Sequence, residues 1–307
     1  MFRYVTVGSF CILLGCVAQG VAAEPPGQDN TGDGLASIAD DLFADFFAET
    51  ESEREIRDAV TVTKEEELRV GRADLDSFLD SLRRRNIKVA QRGNDASYLK
   101  SLATEIHPLM RNSDRYPSIN VYVAQLPTTD ARAFPGGFIV CSTGLIEFAQ
   151  SEAALIGVLA HEMSHIDRGH QLRILRNIKL ADNTFSSTDL GLDDLAKTGR
   201  LLFKQFARPF RPEEEAEADL DAAKWVIELG YDPLEFALLF RRMHQRDAWS
   251  QSPMPSFLRM HPYHGERYHA VRKLSLQLNA VQPKQELYVG QENLRKRITR
   301  RQQSFAE

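Results

Sequence analysis

The chain has 307 residues, 43% of them hydrophobic, and a formal net charge of -5 at pH 7. That length and apolar content suit one sizeable core. The acidic balance argues against a nucleic-acid partner, and with Cys11 and Cys16 at the N-terminus and Cys141 alone later, no disulfide framework is implied.

The N-terminus reads as a targeting segment. Arg3 gives a short positive region, Val5 to Val21 is apolar or small, and Val21-Ala22-Ala23 precedes Glu24-Pro25-Pro26 as a cleavage site. A signal peptide over residues 1–23 and an exported, periplasmic chain are expected. Leu13-Leu14-Gly15-Cys16 offers the alternative of a lipidation box, with Cys16 acylated and the protein held at the outer membrane. Leu14 fits that box poorly, so plain cleavage is preferred. No later stretch reaches about 18 uninterrupted apolar residues, so no membrane-spanning catalytic domain is expected. Residues 24–60 read as an acidic linker and N-terminal segment, in which Phe43, Phe46 and Phe47 are available for docking.

Apolar strands are expected at 119–124 and 137–142, joined through Pro135-Gly136-Gly137, where glycine permits a turn that other residues resist. Cys141 reads as a small buried hydrophobe in the second strand. Ser151 then caps a helix that has Glu152 in its first turn and runs apolar to Ala160. This helix carries His161-Glu162-Met163-Ser164-His165. Histidines four apart share one helix face, so both imidazoles can reach one ion. Glu162 stands where it can reach a water on that ion, which makes this the two-ligand-and-base arrangement of zinc hydrolases. Burying three such groups without a shared partner is expensive, so their place in an apolar helix calls for a reason.

Beyond the motif, three zincin layouts compete for the third ligand. The long metzincin spacing is not met, because Arg168 and Gln171 stand where Gly and His are needed. His170 lies nine residues past His161, about 180° round a continuous helix, so it is expected to face away from the metal as a helix-end or supporting histidine. Residues 177–210 read as a turn-rich connection, loosest at 183–189. The gluzincin layout takes a Glu from a later helix. Glu215 and Asp219, four apart in the acidic run at 213–221, share a face, and the apolar residues interleaved up to Val226 turn that face partly inward. Glu215 as a ligand, with Asp219 holding a ligand histidine by its ring N–H, makes a workable pair. Taken alone, the acidic run would also suit a solvated helix start. The tail, with Arg295, Lys296, Arg297, Arg300 and Arg301, reads as a solvated basic helix, with lipid contact as the lesser option.

These pieces, in this order, resemble the M48 family of zinc metalloproteases. The likeness runs from about Thr61 to Leu276. It takes in the strand at 119–124, Ala133 to Val140, Thr143-Gly144-Leu145, the His161 helix, Glu215-x-x-Ala218-Asp219, and His261-Pro262 with Arg267. The layout is most like the small soluble periplasmic or lipoprotein members. The resemblance implies an α+β gluzincin-type domain, mostly helical with a small antiparallel or mixed sheet at the cleft. It makes His161, His165 and Glu215 the ligands of one Zn2+, Glu162 the catalytic base and Asp219 the residue behind a ligand. His261 would act at the site either as a donor to the oxyanion or as a ligand that holds the enzyme off, against a packing role in a loop. Two departures from the family pattern are Pro212 where an Arg is usual and Asp130 where an Asn is usual. The expected organisation is a peptidase domain over 61–283 and a basic tail over 284–307. The expected activity is endopeptidase cleavage of unfolded or extended polypeptide in the envelope. The alternative is a zincin scaffold that binds envelope proteins without cutting them.

Overall fold

Thr63 opens the first helix through a reciprocal cap. Its hydroxyl accepts from the Glu66 N–H at 3.1 Å, and the Glu66 carboxylate accepts from the Thr63 N–H at 2.8 Å. Helix α1, Lys64–Arg84, is acidic in its first turn and basic in its last, as the helix dipole favours. The computed structural model describes residues 59–181, 210–247, 261, 264–281 and 286–306. The leader with Cys16, the linker with its three phenylalanines, and the turn-rich patch at 183–189 lie outside the described residues.

Strand β1 (Val89–Ala90), helix α2 (Asn94–Ile106) and strand β2 (Asn120–Ala124) follow α1. Strands β3 (Ala131–Phe134) and β4 (Phe138–Ser142) lead into helices α3 (Thr143–Ala149), α4 (Glu152–Asp167) and α5 (His170–Ala181). Helices α6 (Pro212–Glu228), α7 (Pro233–Asp247), α8 (His264–Val281) and α9 (Gln291–Lys296) follow, and a short 3-10 turn, His107–Leu109, lies between α2 and β2. The sheet order is β1-β2-β4-β3. β2 and β4 pair in parallel, with Asn120 opposite Phe138, and the two outer pairs are antiparallel. The domain is thus α+β, mostly helical with a small mixed sheet, as the sequence implied.

One part of the strand reading needs correction. The Pro135-Gly136-Gly137 turn does not join the strand at 119–124 to β4; it joins β4 to the intervening edge strand β3. β3 was missed because Arg132 interrupts its short apolar pattern. Arg132 is nevertheless buried, bonded to Asp74 of α1 at 3.0 Å and lying over the Phe134 ring at 4.4 Å. A charge inside a strand is tolerable when its partner is buried with it.

Helix α4 positions the site. All sixteen of its residues are buried, as an all-round apolar helix requires. It packs on α6, α7, α2, α3 and β3. The Ser151 hydroxyl caps it by accepting from the Ala154 N–H at 3.1 Å. Its next two orphan donors, the N–H groups of Glu152 and Ala153, reach the carbonyls of Gly290 and Val289 at 3.1 and 3.0 Å. The Glu152 carboxylate accepts from the Tyr98 and Tyr231 hydroxyls, each at 2.6 Å, and from the Arg300 N–H at 2.8 Å.

The C-terminal segment is therefore not the solvated basic helix expected. Arg297 pairs with Asp95 at 2.6 Å, and Arg300 bonds the Gly230 carbonyl at 2.7 Å while lying 4.6 Å from the Tyr288 ring centroid. Their partners are distant in sequence, so composition alone reads as a tail. Arg295 and Lys296 do stay on the surface, paired with Glu292. Among the described residues no helix is long and apolar enough to cross a membrane.

Gly157 is where α4 meets α7. A Cβ there would lie 2.6 Å from Phe236 Cγ, inside any allowed contact. Gly157→Ala is expected to destabilise the protein by about 1–3 kcal/mol through overpacking. Thermal unfolding that leaves the midpoint unchanged would contradict this packing.

Candidate metal centre

Four elements bring ionisable side chains to one buried point. His161, Glu162 and His165 come from α4, and Glu215 and Asp219 from α6. His261 comes from the segment before α8, and Arg267 from α8 itself. Pro212 explains one departure from the family pattern: it occupies the first position of α6, where a missing N–H costs nothing. Three residues on, Glu215 enters the core, and Asp219 follows on the same face one turn later.

The ring nitrogens converge. His161 Nε2 lies 3.0 Å from His165 Nε2 and 3.2 Å from His261 Nδ1. Glu215 Oε1 is 2.8 Å from His261 Nδ1 and 3.5 Å from His165 Nε2, and its Oε2 is 3.4 Å from His161 Nε2. One donor atom from each of His161, His165, Glu215 and His261 lies within 4.8 Å of the others. None of these residues, nor Glu162, is more than 2% exposed. The Glu162 carboxylate accepts from the Ala133 N–H of β3 at 2.7 Å, and its other oxygen is 3.3 Å from His261 Nε2.

A ring of supporting groups fixes the donors. The far nitrogen of His161, Nδ1, is 2.9 Å from Asp219 Oδ1. Arg267 bonds Asp219 at 2.6 and 2.8 Å and Glu215 Oε2 at 2.8 Å, with its guanidinium 4.2 Å from the Phe240 centroid. Phe210 stacks on the His165 ring at 3.9 Å and 16°. The expectation for His170 needs amending. α4 ends at Asp167, Gly169 turns the chain at φ +71°, and α5 begins at His170. His170 does not face away from the site; its Nδ1 sits 2.7 Å behind His165 Nδ1, so it is a supporting histidine.

Electrostatics follow from burial and pairing. Burial alone would raise Glu215, yet the charges of His261 and Arg267 hold it well below the usual carboxylate range. Asp219 is likewise lowered, with Arg267 outweighing burial. Burial and then the charge of His161 push His165 well below the imidazole range. For His161, burial and Arg267 act downward, but the bonds to Asp219 and Glu215 win and raise it to about 9.

These residues fit a cation. Imidazole nitrogens 3.0 and 3.2 Å apart turn lone pairs on each other, which is favourable only when a proton or a metal lies between them. With the imidazoles neutral, as ligands are, Glu162, Glu215 and Asp219 are three buried carboxylates against the guanidinium of Arg267, and a dication would bring that balance to zero; without one, protons on the imidazoles have to serve. Imidazole and carboxylate together are the donor set of zinc-type sites.

The model of peptidase family M48 matches residues 97–275. The chain belongs to that family. It is 26% identical over 212 residues to the beta-barrel assembly-enhancing protease of Escherichia coli (strain K12), a match covering 63% of this chain and 40% of the relative. It is 25% identical over 174 residues to the mitochondrial metalloendopeptidase OMA1 of Arabidopsis thaliana, covering 56% of this chain and 35% of the relative. The match thus spans two fifths or less of each relative's length.

Sequence reasoning missed two participants and gave a third no role. The Ala133 N–H was invisible because β3 was. Phe210 carries no motif. Arg267 entered only as part of the resemblance, although two inward carboxylates on α6 already called for a buried cation. Asp219→Ala is expected to weaken metal binding about 10–100-fold, because His161 loses the group that orients it. Chelator competition showing unchanged affinity would remove Asp219 from that role.

Proposed function

We propose that this M48 chain is a zinc-dependent endopeptidase of the cell envelope. The observation that carries the reading is the convergence of His161, His165 and Glu215 beside a Glu162 that already rests on the edge strand β3. In this reading the three residues hold one zinc and Asp219 orients His161. When bound, zinc would supply a water of lowered pKa and polarise the scissile carbonyl. Glu162 takes a proton from the attacking water and delivers it to the leaving amine. In this reading an extended polypeptide pairs with β3, the end strand of the sheet, by main-chain bonds, which favours unfolded chains over a fixed sequence. The name of the bacterial relative, a beta-barrel assembly-enhancing protease, supports substrates among misassembled envelope proteins. The leader at 1–23 supports export to the periplasm, with Cys16 acylation as the alternative.

His261 is assigned here as a fourth donor that holds the enzyme off. Its Nδ1 lies among the ligand atoms and its Nε2 beside Glu162, so it occupies the ground that water and substrate need. The same observation favours a second reading. A site closed by four protein donors is the pattern of a structural metal, as a non-catalytic binder of envelope proteins would have.

Two variants separate these readings. Glu162→Gln is expected to keep its zinc and lose at least about 100-fold in cleavage of an unfolded substrate such as casein; undiminished cleavage would sink the mechanism. His261→Ala is expected to cleave faster than wild type with zinc retained. A loss of cleavage would make His261 an oxyanion donor instead. Zinc retention with no cleavage in either protein would favour the binder.

A further inference from the structure

Helix α1 lies outside the 97–275 match to the family, yet it buries a carboxylate against the active-site hairpin. Glu67 is 2% exposed. Its Oε1 accepts from the Tyr116 hydroxyl at 2.8 Å and from the Gly136 N–H at 3.0 Å, and its Oε2 accepts from Arg115 Nε at 2.8 Å. Gly136 is the middle of the turn between β3 and β4. It and Gly137 sit at φ +81° and +86°, and neither has a side chain to anchor the tip. A turn of that kind gains its rigidity from outside.

Gly71, one helical turn past Glu67, makes the second contact. A Cβ on Gly71 would lie 1.7 Å from the Pro135 carbonyl oxygen, so helix backbone meets turn backbone directly. The N-terminal start of α1, beside Glu67, is tied to a second element. Lys179 of α5 bonds Glu66 at 2.8 Å and the Thr61 carbonyl at 2.9 Å. α1 therefore links the hairpin whose Ala133 N–H meets Glu162 to the helix whose His170 supports His165.

We infer that Glu67 is a positioning residue for substrate: by clamping the Gly136 N–H it fixes edge strand β3, and with it the backbone groups that face Glu162 and the incoming polypeptide. The inference rests on the peptidase reading for its kinetic consequence, but not for its structural one. Free of the clamp, the strand would have to be ordered by each substrate, and that cost falls on binding. A merely structural role would reduce the amount of folded enzyme and hence the maximal rate, leaving KM alone.

The test uses the full chain loaded with zinc, in three variants: Glu67→Ala, Glu67→Gln and Gly71→Ala. Amide hydrogen exchange across residues 131–137 is expected to quicken by about tenfold or more in Glu67→Ala, with residues 155–165 unchanged. KM for an extended fluorogenic peptide should rise about tenfold, with kcat changing less. Glu67→Gln keeps an oxygen for Gly136 and Tyr116 but turns its amide NH2 on Arg115, itself only a donor, so it should restore both in part. Gly71→Ala moves the same turn without touching a charge and should reproduce the KM effect if Glu67→Ala fails to fold. Unchanged exchange at 131–137, or a lowered maximal rate at constant KM, overturns the inference. Faster local exchange where neither the wild type nor His261→Ala cleaves would sustain the clamp and overturn the peptidase reading instead.

Discussion

His161, Glu162 and His165 are buried on a helix that has no exposed residue, and the rest of the fold is organised around satisfying them. Each needs a partner that α4 cannot supply. Glu162 finds a backbone N–H on β3, His161 finds Asp219 on α6, and His165 finds His170 at the start of α5. Leaving any of them unmatched at such depth would cost several kcal/mol in a protein whose whole margin is of that order. The burial of α4 is thus possible only in a fold that brings an edge strand and two further helices to the same point.

Charge imposes a second condition. α6 brings two carboxylates to the centre, and Arg267 meets both of them while resting on Phe240. Its guanidinium suits this place, because it is planar, permanently charged and able to make several bonds at once. Arg267 holds Glu215 by one oxygen and leaves the other beside the histidines. Arg267 leaves this acidic pair one positive charge short, and the shortfall falls where the imidazole nitrogens converge, to be met by protons on them or by a metal. Charge and lone pairs thus make the same demand, for a cation at the point where the imidazoles meet.

What could be read in the sequence was whatever is encoded locally. The capped, apolar α4 and the four-residue spacings of His161 with His165 and of Glu215 with Asp219 are local, and the structure keeps them. What escaped depends on residues far apart. β3 pairs with β4 and can bury Arg132 because Asp74, 58 residues away, pairs with that guanidinium. The last residues dock because Asp95 and Gly230 lie beneath them. His170 was read on the premise of an unbroken helix, which a single glycine at φ +71° undoes. His261 is an intermediate case: its place in the site was implied by the resemblance, and only the fold brings it within 3.2 Å of His161.

In this geometry one Glu162 oxygen is bonded to β3, the other lies 3.3 Å from His261 Nε2, and His261 Nδ1 is among the ligand atoms. In the proposed reading, cleavage then depends on whether His261 can leave. The most direct measurement is X-ray absorption at the zinc edge of the loaded protein, comparing wild type with His261→Ala. The account predicts one zinc per chain with three imidazoles and a carboxylate in the wild type, and two imidazoles in the variant. Two imidazoles in both proteins would mean that His261 is not a ligand. Zinc bound with no imidazole at all would contradict the centre altogether.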